Sequence, residues 1–252
     1  MLQEFNLKDK VALVTGASSP NGQAIIKGLV QAGASVAAVS MDQGITDSVF
    51  GEMSSSEGKA ISLSFVDVTD EAQVKLMVDK TMAEFSRIDI LVNGEDGAFG
   101  KPLLETSLDE WRRVFEVNVT SVFLCSKTVA PIMMKQGKGR IINISSALAL
   151  RAVVNGAAYC ASKGAVSQLT QALALEWGPK QININAVAAG WFADSPVDLI
   201  EDLKEPTVRM IPQRRRGQPE DIAGIVVYLA SEAGSYTTGQ TILLDGGAHT
   251  HA

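Results

Sequence analysis
The chain has little of what many catalytic and structural devices require. Its two histidines, His249 and His251, both fall within the last four of 252 residues, which argues against a histidine-based mechanism or a zinc site. Two cysteines, Cys125 and Cys160, make no disulfide framework and no metal-ligand spacing. Positive charge is scarce: 22 Lys and Arg stand against 28 Asp and Glu, and a net charge of -6 argues against a nucleic-acid partner held by phosphate contacts. The one basic cluster, Arg214-Arg215-Arg216, is short and reads as a solvated loop. No apolar run approaches about 18 residues, so no membrane span is expected. The opening MLQEFNLKDK lacks the charged-then-apolar pattern of a signal peptide, and a cytoplasmic protein is the default expectation. No repeat, low-complexity tract or linker divides the sequence. What remains, 46% hydrophobic and 20% charged residues, is the composition of one globular domain over 1–252 with a sizeable core.

Strand and helix signals alternate along that domain. Short apolar runs at Lys10–Thr15, Ser35–Val39, Ile61–Val66, Ile88–Val92, Arg140–Ile144, Ile182–Val187 and Thr241–Leu244 read as parallel strands covered on both faces. Between them lie helical patterns at Pro20–Gln31, from Thr69 or Asp70 to Phe85, Ser107–Met134, Gly156–Trp177 and Glu220–Ser231. Asp42–Lys59 is the weakest helix, because Gly and Ser interrupt it. The pattern predicts an α/β fold: a Rossmann-type, doubly wound parallel sheet of about seven strands with right-handed crossovers.

Two stretches carry chemistry. After the first strand, Gly16-Ala17-Ser18-Ser19-Pro20-Asn21-Gly22 forms a Gly-rich turn into a helix N-terminus, where free N–H groups and the helix dipole favour a pyrophosphate. Gly16 starts the tight turn, Gly22 permits close packing of helix on strand, and Ser18 and Ser19 add hydroxyl donors. Asp67, ending the third strand, is placed to bond an adenine amino group; an acid leading a helix is the equal alternative. The second stretch, SALALRAVVNGAAYCASK, runs from Ser146 to Lys163. Tyr159 and Lys163 lie four apart and share a helical face. A phenol titrates near about 10, and a neighbouring ammonium favours its phenolate and lowers that value. Ser146, closing the fifth strand, can bond the same substrate oxygen.

With these pieces placed, the chain resembles the short-chain dehydrogenase/reductase family over essentially its whole length. The resemblance is carried by TGASSPNG (Thr15–Gly22), DVTD (Asp67–Asp70), LVN (Leu91–Asn93), NVTSVF (Asn118–Phe123), GRIINISS (Gly139–Ser146), YCASK (Tyr159–Lys163), ININAVAAG (Ile182–Gly190) and GQTILLDGG (Gly239–Gly247). It implies hydride transfer between a nicotinamide ring and a carbonyl or secondary alcohol. Tyr159 would be the acid/base and Ser146 would polarise the substrate oxygen. Lys163 would lower the tyrosine pKa and hold the nicotinamide ribose, and Asn118 would hold a relay water. Gly16, Ser18, Ser19, Asn21, Gly22, Ser40, Met41, Asp67, Val68, Asn93, Gly94, Gly190 and Phe192, with Tyr159 and Lys163, would bind the cofactor. Ser146, Leu148, Arg151, Val153 and Trp191 would line the substrate pocket under a mobile segment within 191–216.

The sequence departs from the family at four cofactor-facing loops. The middle glycine of the phosphate turn is Pro20, which has a ring and no N–H but suits a first helical position. The usual Asn-Asn-Ala-Gly is Asn93-Gly94-Glu95-Asp96, the usual Pro-Gly is Ala189-Gly190, and the usual nicotinamide-contacting threonine is Asp194, with Ser195 next. None of the four touches Asn118, Ser146, Tyr159 or Lys163; Glu95 and Asp96 are expected at the pocket mouth. The second strand ends on Ser40 and Met41, so neither the acid diagnostic of NAD nor the arginine diagnostic of NADP is in place. Asp42 and the lack of a nearby base tilt the balance toward NAD. The resemblance spans gluconate dehydrogenase-like and 3-oxoacyl-carrier-protein reductase-like members, and implies a homotetramer packed through the Asn118 and Tyr159 helices, with Ala157, Ala161 and Ala165 small enough for close contact. The leading expectation is an NAD(P)-dependent ketoreductase or alcohol dehydrogenase with a small-molecule substrate. The alternative is a cofactor-impaired scaffold with a binding or regulatory role.

Overall fold
A computed structural model describes residues 2–41, 60–194 and 202–250. In chain order the elements are β1 (Val11–Val14), α1 (Pro20–Gln31), β2 (Ser35–Val39), β3 (Ala60–Leu63), α2 (Glu71–Phe85), β4 (Ile90–Asn93), α3 (Leu108–Phe115), α4 (Ser121–Gln136), β5 (Gly139–Ser146), α5 (Ala157–Trp177), β6 (Ile182–Ala189), α6 (Pro206–Met210), α7 (Pro219–Ala230) and β7 (Thr241–Leu244). The strands form one seven-stranded sheet in the order β3-β2-β1-β4-β5-β6-β7. Every neighbouring pair is parallel. The order reverses between β1 and β4, so the loops leaving the carboxyl ends of β1, β4, β5 and β6 open a crevice at that switch point.

The sheet is covered on both faces, which is why its strands read as continuous apolar runs. Ala12 and Val14 of β1 pack with Ile25, Ile26 and Leu29 of α1 and Ile222, Val226 and Leu229 of α7. Leu13, between them in sequence, points the other way, into a cluster with Val74 and Met77 of α2 and Val129 and Met133 of α4. Each of the Val, Leu, Ile and Met side chains removed from water here contributes about 1.5–3 kcal/mol. Gly28 lets α1 meet α7: a Cβ there would lie 2.8 Å from that of Ala223.

Helix boundaries follow side-chain caps. Ser19 accepts from Gly22 N at the start of α1, with Pro20 as first residue. Asp70, not Thr69, caps α2 by accepting from Ala72 N and Gln73 N. Ser107 and Glu110 form a reciprocal capping box on α3, and Lys101 holds the Glu110 carboxyl down at about 2.

Three expectations about extent are corrected. The third strand stops at Leu63 rather than Val66, because Phe65 adopts a left-handed φ of 59° that ends extended backbone. The strands β5 and β6 run further than expected, pairing in register up to Ser146 with Ala189. The helix expected over Ser107–Met134 is broken by a π turn, Glu116–Thr120, between α3 and α4. Taken as one run, Leu108–Gln136 is 29 residues and apolar enough by length and composition to cross a membrane, but half of its most apolar window is buried inside the fold, which marks a core helix. The basic cluster is held by acids: Arg215 pairs with Asp221 and Arg216 with buried Asp202. The weak helix at Asp42–Lys59, the Asp42 ribose acceptor, Ser195, and residues 195–201 of the substrate segment lie outside the described residues.

Candidate active site
The crevice is a cleft of about 720 Å³, within the range of small-molecule sites. One wall is the phosphate turn: Ser19, Pro20, Asn21 and Gly22, with Ile25 behind them. The opposite wall carries Ser146, Leu148 and Tyr159, and Gly190, Trp191, Phe192 and Asp194 close the far side. Gly94, Asp96 and Phe99 from the loop after β4 lie between the walls.

The turn is built by close backbone approach. Gly16 has φ +67°, and a Cβ on it would fall 2.3 Å from Gly94 O, while a Cβ on Gly22 would fall 2.2 Å from Gly16 O. Ser19 Oγ donates to Gly16 O and accepts from Gly22 N, which pins the turn against the helix. Ser18 contributes its carbonyl to Gln23 Nε2. Asn21 Oδ1 is buried without a hydrogen-bond partner. That oxygen is an acceptor, so a hydroxyl or amide donor of a bound dinucleotide would satisfy it, while the helix N-terminus beside it favours the pyrophosphate. The residues present therefore fit a nicotinamide cofactor.

The catalytic wall is built on β5 and α5. Ser146 ends β5 and its hydroxyl accepts from Leu148 N at 3.1 Å. Tyr159 and Lys163 project from the same face of α5, with Nζ 5.7 Å from the phenol ring centroid. Lys163 is only 1% exposed and reaches the carbonyls of Ile144 and Glu95 at 3.4 and 3.5 Å. Asn118 is seated by the π turn, but its amide is committed to protein. It accepts from Gly97 N at 2.7 Å and donates to Gly97 O and Ser162 Oγ.

The loop after β4 changes this picture. Gly94 lies so close to β1 that a Cβ would come within 2.5 Å of Thr15 O. That approach brings the next two side chains inward. Glu95 Oε1 accepts from Gly16 N at 2.8 Å, inside the phosphate turn. Asp96 accepts from Tyr159 Oη at 3.0 and 3.2 Å through its two oxygens and pairs with Lys163 Nζ at 3.1 Å. The expectation that the departures leave Tyr159 and Lys163 untouched is thus corrected: Asp96 bonds both. The expected lowering of the tyrosine pKa is also corrected. Burial first, and then the Asp96 charge, push the phenol well above its ordinary value, with a Ser146 hydrogen bond acting in the other direction. Burial likewise raises the Glu95 carboxyl, the Gly16 N–H opposing it.

Other expected residues lie away from the cleft. Asp67 Oδ1 accepts from both N and Oγ1 of Thr69, which holds its carboxyl low. Val68 is core, and Ser40, also buried, follows β2 beside half-exposed Met41. Asn93 is buried between strands and donates to Ser126 Oγ and Asn143 Oδ1. Arg151 donates to Ala248 O at 2.8 Å, and Val153 is on the surface. Two features escaped sequence reasoning: Phe99 in the cleft wall, and the pairing of Ser162 with Asn118. Ser162 immediately precedes Lys163, so YCASK was the available signal.

A dinucleotide turn facing a Ser–Tyr–Lys group across the switch point of a doubly wound sheet defines a nicotinamide-dependent oxidoreductase. A family model described as enoyl-(acyl carrier protein) reductase matches residues 16–249. The chain is 39% identical over 245 residues to 3-oxoacyl-(acyl-carrier-protein) reductase of Synechocystis sp., covering 96% of this chain and 97% of that protein. It is 37% identical over 254 residues to 2-dehydro-3-deoxy-D-gluconate 5-dehydrogenase of Pseudoalteromonas atlantica, covering 98% of each. Among solved structures it resembles a 7α-hydroxysteroid dehydrogenase complexed with NADH and 7-oxo glycochenodeoxycholic acid, with TM-score 0.88, 33% identity, and 97% of this chain and 96% of that one covered. The chain belongs to the short-chain dehydrogenase/reductase family and is an NAD(P)-dependent oxidoreductase of carbonyl or alcohol substrates.

Proposed function
We propose that the enzyme reduces a neutral ketone, with Tyr159 as the proton donor, Ser146 holding the substrate oxygen, and Lys163 binding the nicotinamide ribose. The observation that carries this reading is the placement of Ser146 and Tyr159 together on the cleft wall, with Lys163 buried beside Tyr159 on the same helical face. Bound nicotinamide supplies the hydride; the protein orients the ketone, excludes water and moves the proton. A phenol held above its ordinary value starts each reduction with its proton in place, while the same shift makes it the weaker acid. Phe99, Leu148, Trp191 and Phe192 give the cleft apolar walls, and among the described residues lining it there is no Lys or Arg. Arg151, the one candidate for an anionic group, is turned to Ala248 O. These features favour an acyl or alicyclic ketone over a sugar acid.

Ser18, Ser19, Asn21 and Gly22 would hold the pyrophosphate, and Gly190 and Phe192 would flank the nicotinamide. The absence of a basic residue at Ser40-Met41 supports NAD over NADP. A homotetramer packed through α4 and α5 is supported by Ala157, Ala161 and Leu175 of α5 and Phe123 of α4 being exposed on the single chain, and a cytoplasmic location goes with it as the default. The test is Tyr159→Phe: turnover of a 3-oxoester should fall on the order of 10²–10⁴-fold with the melting temperature kept. Undiminished activity would refute the assignment.

A further inference from the structure
We propose that Asp96 is a third member of the acid–base group and carries the proton between the Tyr159 phenol and solvent. The inference rests on Tyr159 being the proton donor. It starts from one contact: the phenol O–H donates to both carboxylate oxygens of Asp96, at 3.0 and 3.2 Å. A phenol that gives its proton to a substrate oxygen must be reprotonated before the next turnover. Its neighbours limit how. Lys163 is sealed at 1% exposure and its ammonium is held by Asp96 at 3.1 Å, with only two long contacts to carbonyls besides. The Asn118 amide is bonded on both sides to Gly97 and to Ser162. Asp96 offers the pair a route to water, because its side chain is 50% exposed at the cleft while Lys163 is sealed.

The charged and titratable groups facing Asp96 are consistent with a proton carrier. Tyr159 and Lys163 come from α5, Ser146 from β5, Glu95 precedes it on its own loop, and Asp194 lines the same cleft from beyond β6. Lys163 stabilises the carboxylate when the phenol holds its proton. When the phenol has become phenolate, that second negative charge favours the carboxylic acid beside it. The cycle balances. The phenol O–H bond breaks as its proton joins the reduced substrate oxygen. Solvent water first gives a proton to the Asp96 carboxylate, leaving hydroxide to the buffer, and the resulting carboxyl passes that proton to the phenolate, which restores phenol and carboxylate. In alcohol oxidation the same steps run backwards.

The experiment compares wild type, Asp96→Asn and Asp96→Gly with NADH and a 3-oxoester, after melting curves confirm that all are folded. Asn keeps the shape and hydrogen-bonding capacity but not the titration; Gly leaves room for a small acid. The expected result is a kcat lower by roughly 10- to 100-fold in both variants, with NADH affinity by fluorescence titration unchanged or tighter. Formate or acetate should then restore kcat in Asp96→Gly, in proportion to concentration, and leave Asp96→Asn and Tyr159→Phe unchanged. A wild-type or higher kcat in Asp96→Asn would overturn the relay and make Asp96 a mere occupant of the site. Loss of kcat in Asp96→Gly without rescue by either acid would also overturn it, in favour of a structural role. An inactive wild type would sink the ketoreductase reading itself, an outcome distinct from failure of the relay alone.

Discussion
Glu95 and Asp96 are adjacent in sequence and meet opposite fates. Both are carried inward by the loop after β4, and each crosses to a different half of the cleft. Glu95 enters the phosphate turn, where one backbone N–H is its described hydrogen-bond partner and burial raises its pKa. Asp96 enters the catalytic wall, where a buried ammonium faces it and water reaches it. A carboxylate beside a cation and solvent is a working charge; a carboxylate in a closed turn is a load on the fold. The two halves of the site therefore differ in kind. The catalytic half accommodates its extra acid through Lys163, and the phosphate half tolerates its own only until an anion must bind there.

The largest effect should come from removing what makes the catalytic half tolerant. In Lys163→Met, Asp96 and Tyr159 face each other with no countercharge, and the nicotinamide ribose loses its holder. The expected loss in kcat/KM is on the order of 10²–10⁴-fold, with both kcat and KM affected, and steady-state rates across a range of NADH concentrations measure it. A KM change alone, with kcat preserved, would mean that Lys163 binds cofactor but plays no part in the proton chemistry. The contrast with Glu95 would then weaken.

Much of this was legible in the sequence, and the exceptions share a cause. β2, β7 and α1 fall where the residues place them, because apolar runs, Ser19 and Pro20 fix them locally. The Ser146, Tyr159 and Lys163 group is local too: a strand end and one helical face. What could not be read depends on contacts distant in sequence. The π turn at Asn118 exists because its amide must meet Gly97 and Ser162 together. The reach of Asp96 into the catalytic pair depends on Gly94 packing against Thr15, a contact across 79 residues. Arg151 turned away from the pocket because a carbonyl near the far end of the chain, Ala248 O, took its guanidinium. Side-chain identities announced the charge; only the fold decided whom it met.

The phosphate half gives the next effect. Glu95→Gln keeps an acceptor for Gly16 N and removes the charge. NADH should bind roughly three- to ten-fold tighter, about 1 kcal/mol, in a fluorescence titration. Stability should change with a definite sign. The folded chain holds the Glu95 proton more tightly than the unfolded chain, whose ordinary value is 4.5. Wild type and variant should thus be alike below that pH, and the wild type should fall behind as pH rises through the raised folded value. Melting curves at acid and neutral pH read this directly. A gap that widens toward acid would reverse the assignment of burial as the cause.

The smallest effect isolates the other departure in the same turn. Pro20 is the first residue of α1 and lines the cleft, so it is conformationally favourable and chemically mute: it presents a ring where an N–H could face a phosphate. Pro20→Gly should separate these two properties. Restoring a donor and removing the ring should tighten NADH binding by about three-fold, the lower range for one added hydrogen bond. Freeing the unfolded chain should lower stability by about 0.4–1 kcal/mol, since proline's restriction is lost. Opposite signs in one variant are the signature to seek, by titration and by melting. Combined with Glu95→Gln, the binding gains should fall short of additivity, because both groups bear on the same short turn. Full additivity would mean that charge and backbone donor act on separate parts of the cofactor, and the phosphate half would no longer count as a single anion site.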